Sequence, residues 1–482
     1  MTLAATVQST QFRLARHYFE KIKRGNAAIQ RRGVSSAFWL NQVDLDWQQI
    51  ERWQQWAVSG MKHDPARARL CVSIALENYY LLRARLPNAV YLHWYEQALE
   101  AARSWNDSYS LCRLLYRLAE SYSSMTEDLA SAERYAQELA ELARADGDLS
   151  NLGRALSVLG AVESTRGNYD QAETILKEAL EHLENCNASE IEKAKVRLWM
   201  GRIAVFRGNY ALGYTEHMFY LYAYEAIKDE LAVAGILPSI SGICLYLGNK
   251  AEAVQHATNA VDYGRRLGLR RQLPVSLICL AHAEKAMGQL DEARLHYAEA
   301  LNTGKSLVNP SSVINTYYGW AQACFLAGDA EQALERLEEG LALAHQHRFP
   351  FRICEVACDK AMIHATRHEL KAAADCLSEA IKQAQHLGTA RYWVMVTSAI
   401  AVVAEQSGYY QAAAGWAGRV LGRPELIDVM GLFAKSCQNL EAELGRNLYH
   451  KLTDAGREQT PDEFANDALN WLDRMAAQVQ VT

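Results

Sequence analysis

The chain has 482 residues, 50% of them apolar, and a formal net charge of −6. That length exceeds what one hydrophobic core fills, so several domains or one elongated array is expected, and the mild acidity argues against general nucleic-acid binding. No segment approaches the ~18 uninterrupted apolar residues of a membrane span, and the N-terminus lacks the basic-then-apolar pattern of a signal peptide. Proline is scarce (8 residues), Ala, Leu and Glu are abundant, and no alternating strand runs are visible, so helix is expected almost everywhere. The ten cysteines form no CxxC pair and read as reduced core thiols of a cytoplasmic protein.

Residues 1–64 read as an N-terminal helical cap or linker. The first 35 hold Arg13, Arg16, Lys21, Lys23, Arg24, Arg31 and Arg32 against a single Glu20. Such a run is either a solvated helix face or a docking surface for an acidic partner. Trp39, Trp47, Trp53 and Trp56 follow at roughly helical spacing. They suit a cap that hides the open end of an array, or an aromatic docking box.

From about residue 65 to 422 a pattern recurs. Gly167-Asn168-Tyr169, Gly208-Asn209-Tyr210, Gly248-Asn249-Lys250, Gly288-Gln289-Leu290, Gly328-Asp329-Ala330, His368-Glu369-Leu370 and Gly408-Tyr409-Tyr410 succeed one another at steps of 41, 40, 40, 40, 40 and 40 residues. Glu127-Asp128-Leu129 fits the same step, and Leu86-Pro87-Asn88 fits loosely. Small residues keep phase: Gly160, Gly201, Ser241, Ala281, Ala321, Ala361 and Ala401 stand seven before these anchors. Ala172, Gly213, Ala253, Ala293, Ala333, Ala373 and Ala413 stand five after them. The spacing predicts a helix pair, A and B, per repeat. Glycine in the left-handed region ends helix A, Asn or Asp turns the chain and caps helix B, and the small residues let the two helices approach. The return from B to A is expected at Leu267-Gly268-Leu269, Asn309-Pro310, Phe349-Pro350 and Leu387-Gly388. This arrangement resembles the tetratricopeptide repeat, with about six residues added to its usual ~34. The resemblance implies a right-handed all-α solenoid of about nine helix pairs, with residues 423–482 as C-terminal capping helices.

Several stretches imitate other chemistry. Gly304-Lys305-Ser306 looks like the end of a phosphate loop, but Glu299 stands where the first Gly belongs and no strand precedes it. His364 and His368 share a helical face, yet two ligands do not make a metal site, and Cys244 and Cys324 occupy the His364 position in sister repeats. Cys354 and Cys358, four apart in a helix, suit core thiols better than a disulfide. No catalytic constellation converges, so no enzyme activity, cofactor or metal is expected.

The flanks carry a second resemblance. Phe12-Arg13-Leu14-Ala15-Arg16-His17-Tyr18-Phe19, then Trp39-Leu40 and the acidic stretch to Trp47, then Trp53 and Trp56-Ala57, resemble the segment that joins ATPase module to repeats in bacterial STAND-type regulators. The tail agrees through Ala417-Gly418-Arg419, Leu440-Glu441-Ala442, Ala455-Gly456-Arg457 and Thr460-Pro461-Asp462-Glu463-Phe464-Ala465. In that family the repeats sense an inducer or partner and restrain the ATPase. Here no Gly-x-x-x-x-Gly-Lys-[Ser/Thr] loop and no DNA-reading helix-turn-helix is found. The resemblance therefore implies a fragment of a transcription regulator, or a free-standing sensor with an orphan ATPase or regulator as partner.

A solenoid offers a concave face lined by its A helices. Counting back 13, 10, 6 and 3 residues from the anchors places Arg117, Arg154, Lys195, Arg202, His282, Lys285, Asn315, Tyr318 and Gln322 on that face, beside Ser121, Ser157, Leu198 and Phe325. A basic and polar groove suits a peptide backbone, a C-terminal carboxylate or an acidic helix. The other reading is that these groups are solvated or paired with helix B carboxylates. The expected function is a protein- or peptide-binding scaffold or sensor, with the STAND-type sensor responding to a small molecule or protein as the alternative.

Overall fold

A computed structural model describes residues 3–30, 36–78, 82, 86, 88–125, 128–304, 310–423, 428–458 and 470–472. Arg31, Arg32, Pro87, Glu127, Lys305, Ser306, Asn309 and the segment 460–465, all singled out in the sequence, lie outside the described residues. The described residues form 22 α-helices and no strand. The fold is an all-α solenoid-type array, and the chain divides into two compact units, Met1–Gln272 and Leu273–Thr482.

The first unit opens with α1 (Leu3–Gln30), α2 (Ser36–Gly60) and α3 (Pro65–Glu77). Helices α4 (Asn88–Ser104), α5 (Ser108–Met125), α6 (Leu129–Asp146), α7 (Leu149–Arg166), α8 (Tyr169–Asn185), α9 (Glu190–Phe206), α10 (Tyr210–Ala226), α11 (Glu230–Tyr246) and α12 (Lys250–Arg266) follow. The A helices are α5, α7, α9 and α11, each packed on the B helix that follows it, and α7 also touches α5 and α9. The second unit alternates A helices α13 (Gln272–Met287), α15 (Pro310–Leu326), α17 (Pro350–Thr366) and α19 (Ala390–Gln406) with B helices α14 (Leu290–Gly304), α16 (Ala330–Gln346), α18 (Leu370–Leu387) and α20 (Tyr410–Val420). It ends with α21 (Leu432–Leu444) and α22 (Arg446–Glu458).

The turn chemistry explains the phase. All seven anchors have positive φ, from +59° at His368 to +88° at Gly328. At Gly167 the helix closes with Gly167 N–H to Ser164 C=O (3.2 Å) and Asn168 N–H to Glu163 C=O (3.0 Å), the paired bonds of a Schellman end. The next residue does not always act as expected. Asn209 Oδ1 accepts from Leu212 N–H and Asp329 Oδ1 from Gln332 N–H, but Asn168 makes no side-chain cap and its Nδ2 donates to Glu163 Oε2 instead (2.7 Å). The B-to-A turns also use left-handed residues, and four of them lie outside the turns marked in the sequence: Asn106 (+51°), Gly147 (+68°), Asn187 (+51°) and Lys228 (+58°).

The small positions sit where A meets B. A Cβ on Gly160 would lie 2.6 Å from Leu176 Cγ, and one on Gly201 2.7 Å from Glu216 Cβ. Ser241 Oγ donates to Ala253 C=O across the next pair (2.8 Å), and Ala172, Ala253, Ala293, Ala333, Ala373 and Ala413 are fully buried. In the first unit the tryptophans pack on neighbouring helices. Trp47 stacks on Trp94 with centroids 5.6 Å apart, Trp53 is buried, and Trp56 Nε1 donates to Gln11 Oε1 (3.2 Å). Part of the basic run is neutralised there, by Lys21–Asp46 and Lys23–Glu77. In the second unit α20 and α22 cross closely enough that a Cβ on Gly418 would meet Thr453, and one on Gly456 would meet Gly415. That is the physical reason for the tail glycines. No described helix is long and apolar enough to cross a membrane.

Candidate functional site

The nine residues expected to share one groove fall into two sets, one in each unit. In the first unit, α7 presents small residues on its A-helix face: Ser157 is buried and Ala161 is 1% exposed. Across these small residues, side chains of α5 and α9 meet. Lys195 on α9 donates to Tyr116 Oη (3.1 Å) and to Glu120 on α5, and Arg117 donates to the same Glu120 (2.9 Å). Burial works against the Lys195 ammonium, yet Glu120, Tyr116 and Tyr224 hold its pKa well above the usual value. Arg154 on α7 pairs with Glu192 on α9 and also donates to Asn151 Oδ1 (2.9 Å). The pairing is real, but the carboxylates come from A helices rather than from the B helices the sequence suggested.

Arg202 differs. It is exposed, it lies over the Trp199 ring at 4.5 Å, and among the described residues it has no hydrogen bond or carboxylate partner. Protein crowds its guanidinium enough for burial to pull its pKa down, although much of the side chain meets water. Arginine nevertheless remains a cation. On the next A helix, α11, the corresponding positions hold Gly235, Ser239 and Gly242. Gly235 and Ser239 are exposed and Gly242 is half-buried. A Cβ built on Gly235 or Gly242 meets no described atom within 4 Å. This part of the face therefore combines a stacked, uncompensated cation with a bare helix surface. The sequence reading named Arg202 but passed over Trp199, nine before the anchor, and the two glycines, 13 and six before Gly248. Counting for absent side chains, not only present ones, finds them.

In the second unit a hydrogen-bonded chain crosses three A helices. Lys285 Nζ on α13 donates to Gln322 Oε1 on α15 (2.6 Å), and Gln322 Nε2 donates to Asp359 Oδ2 on α17 (2.9 Å). Burial raises Asp359 to about 7, only partly opposed by hydrogen bonds from Gln322 and Tyr318 and by the Lys285 charge. Burial lowers Lys285 to about 8. His282 contacts Tyr297 Oη (2.6 Å) and Asn315 Nδ2 (3.1 Å), and burial takes its pKa to about 3, so it is a neutral structural imidazole. Arg352 pairs with Glu355 (2.6 Å). Asp359 was not foreseen, since nothing in its own repeat marks it as the end of a chain that begins 74 residues earlier.

The other candidates resolve locally. His364 Nδ1 pairs with Glu369 (2.6 Å), while His368 is exposed at a left-handed turn, so the two do not converge. Cys354 and Cys358 are buried free thiols.

The helix-pair fold with small A–B contacts and an A-helix face defines an all-α repeat protein. Residues 110–185 and 272–346 match the tetratricopeptide repeat family, and these two segments carry tetratricopeptide repeats. No curated protein matches the chain by sequence. Among solved structures it is similar to the apo form of the quorum sensor NprR from B. thuringiensis: 17% identity, 71% of this chain, 98% of that chain, TM-score 0.52. It is also similar to a Rap protein complexed with Competence and Sporulation Factor, with 14% identity, 76% and 98% coverage and a TM-score of 0.51. A STAND protein with a tetratricopeptide repeat sensor from Pyrococcus horikoshii shares 16% identity over 81% of this chain and 55% of that one, at a TM-score of 0.49. At these identities the likeness with NprR and Rap is one of fold.

Proposed function

We propose that this chain is a non-enzymatic recognition module of the cytoplasm that binds a peptide or protein segment bearing a carboxylate, through the A-helix face around Arg202. The observation that carries this reading is the state of Arg202 itself. The other first-unit cations expected to line the face, Arg117, Arg154 and Lys195, are already ion-paired, the first and last sharing Glu120 and the second with Glu192, whereas Arg202 stands stacked on Trp199 and without a counter-ion among the described residues. A stacked guanidinium keeps its donors in a plane suited to a carboxylate. Support of a weaker kind comes from the fold shared with a Rap protein complexed with Competence and Sporulation Factor.

The test uses a library of peptides with free C-termini, panned against the wild-type chain and against Arg202→Ala and Gly235→Leu. Selected peptides lose affinity about tenfold or more in Arg202→Ala, the scale of a lost charge-assisted contact. They are also blocked by Gly235→Leu, which fills the bare surface without touching the core. Wild-type affinity in both variants overturns the assignment. The motif order of the flanks favours one further reading, a sensor part of a STAND-type nucleotide-dependent regulator of transcription, restrained or released by an inducer. Co-purification of an ATPase with the chain, dissolved by that inducer, would separate it from a simple scaffold.

A further inference from the structure

No metal site is expected from the sequence, yet the turn at Gly248 gathers three metal-ligating groups. Cys244 lies in the last turn of α11, and Glu252 and His256 stand one turn apart on α12. Their ligand atoms all lie within 4.8 Å of one another, and among the described residues no other set of three does this. We propose that Cys244, Glu252 and His256 bind a zinc-class divalent ion, with solvent as the remaining ligand.

The donor set selects the metal. A thiolate and an imidazole favour zinc over magnesium or calcium, which prefer all-oxygen shells. The charges balance as well, since one thiolate and one carboxylate neutralise a divalent ion. Without a metal Cys244 is a buried free thiol that carries its proton close to the Glu252 carboxylate. Binding replaces that proton by the ion, forms the sulfur–metal bond and releases one proton to solvent. A supporting group is in place, because Tyr214 on α10 donates its hydroxyl to Glu252 and so orients the carboxylate. His256 leaves Nδ1 buried and without a hydrogen-bond partner, while Nε2 lies 3.5 Å from Glu252 Oε1. There is an entry path: the Glu252 side chain is 38% exposed, whereas that of His256 is 13% exposed.

Sister repeats show what the same positions do with fewer ligands. Cys324 donates to Gln332 (2.9 Å), and His296 pairs with Glu284 (2.7 Å). Ala204 occupies the Cys244 position one repeat earlier, so alanine is compatible with the fold there.

The experiment titrates the untagged, metal-free full chain with Co²⁺ and follows its absorption. Release of one proton on cobalt binding, with a thiolate-to-cobalt charge-transfer band and tetrahedral d–d bands that disappear when Zn²⁺ displaces the cobalt without further proton release, is the expected result. Cys244→Ala abolishes the band with far-UV circular dichroism unchanged, and His256→Ala weakens binding by about tenfold or more because a protein ligand is lost. Glu252→Gln copies the Cys–Gln pair of the sister repeat, keeps the fold and binds more weakly. Absence of the band in wild type, or a band of equal affinity in Cys244→Ala, overturns the proposal.

Discussion

At the residue scale, the Lys285–Gln322–Asp359 chain makes a prediction about pH. Unfolded, an aspartate titrates near ~4 and a lysine near ~10.4. Folded, Asp359 stands at about 7 and Lys285 at about 8. Between roughly pH 4 and 7 the folded chain therefore holds a proton that the unfolded chain has lost, and this residue's contribution to stability falls as pH rises. Between roughly pH 8 and 10 the unfolded chain holds the extra proton at Lys285, and stability rises again. The contribution of the pair is lowest near neutrality. Asp359→Asn removes the falling limb and leaves the alkaline one. Thermal midpoints of wild type and variant, measured from pH 4 to 10, should separate progressively between 4 and 7, with the variant the more stable at 7. Parallel curves would show that Asp359 is ionised throughout.

At the element scale, α7 governs what α5 and α9 can do. Its small face lets Lys195 reach Glu120, 75 residues away in sequence. Side chains of both partners are 20% exposed, so the pair is partly desolvated, and losing one partner leaves the other poorly compensated. Glu120→Ala is expected to cost about 1–3 kcal/mol in urea unfolding, because two cations lose an acceptor. Arg202→Ala, which breaks no ion pair among the described residues, is expected to cost less than about 0.5 kcal/mol, as for ordinary surface changes. Equal costs would mean that the two cations are in the same situation, and the distinction between a structural pair and a free recognition group would fail.

At the scale of the whole molecule, repeats communicate mainly with their neighbours. Ala172 is fully buried at the contact of α7 with α8. Ala172→Leu overpacks that contact by about 1–3 kcal/mol. Amide exchange should accelerate most in α7 and α8, less in α5, α6, α9 and α10, and little in α2. Uniform loss of protection across Met1–Gln272 would instead mean that this unit opens as one body.

The repeat is legible in the residues alone. Left-handed anchors, small residues at fixed distances from them and the alternation of A and B are local requirements of a helix hairpin, so each is written in the residues that meet it. Gly167, Gly160 and Ala172 were legible for that reason. Asn168 was legible as a turn residue but not as a donor to Glu163, because its amide can either accept from a backbone N–H as a cap or donate to a carboxylate, and only geometry chooses. The side chains that carry function obey no such local rule. Arg117, Arg154, Lys195 and Arg202 look alike in charge, and the packing of the helices decides that three are ion-paired with Glu120 or Glu192 while the fourth has no carboxylate partner among the described residues. Cys244, Glu252 and His256 belong to two helices and converge only after the turn at Gly248 closes. Lys285 and Asp359 come together only because three A helices pack side by side. Short-range conformational preference fixes the array, whereas charge compensation and ligand geometry depend on which residues, tens of positions apart, are brought within a few ångströms.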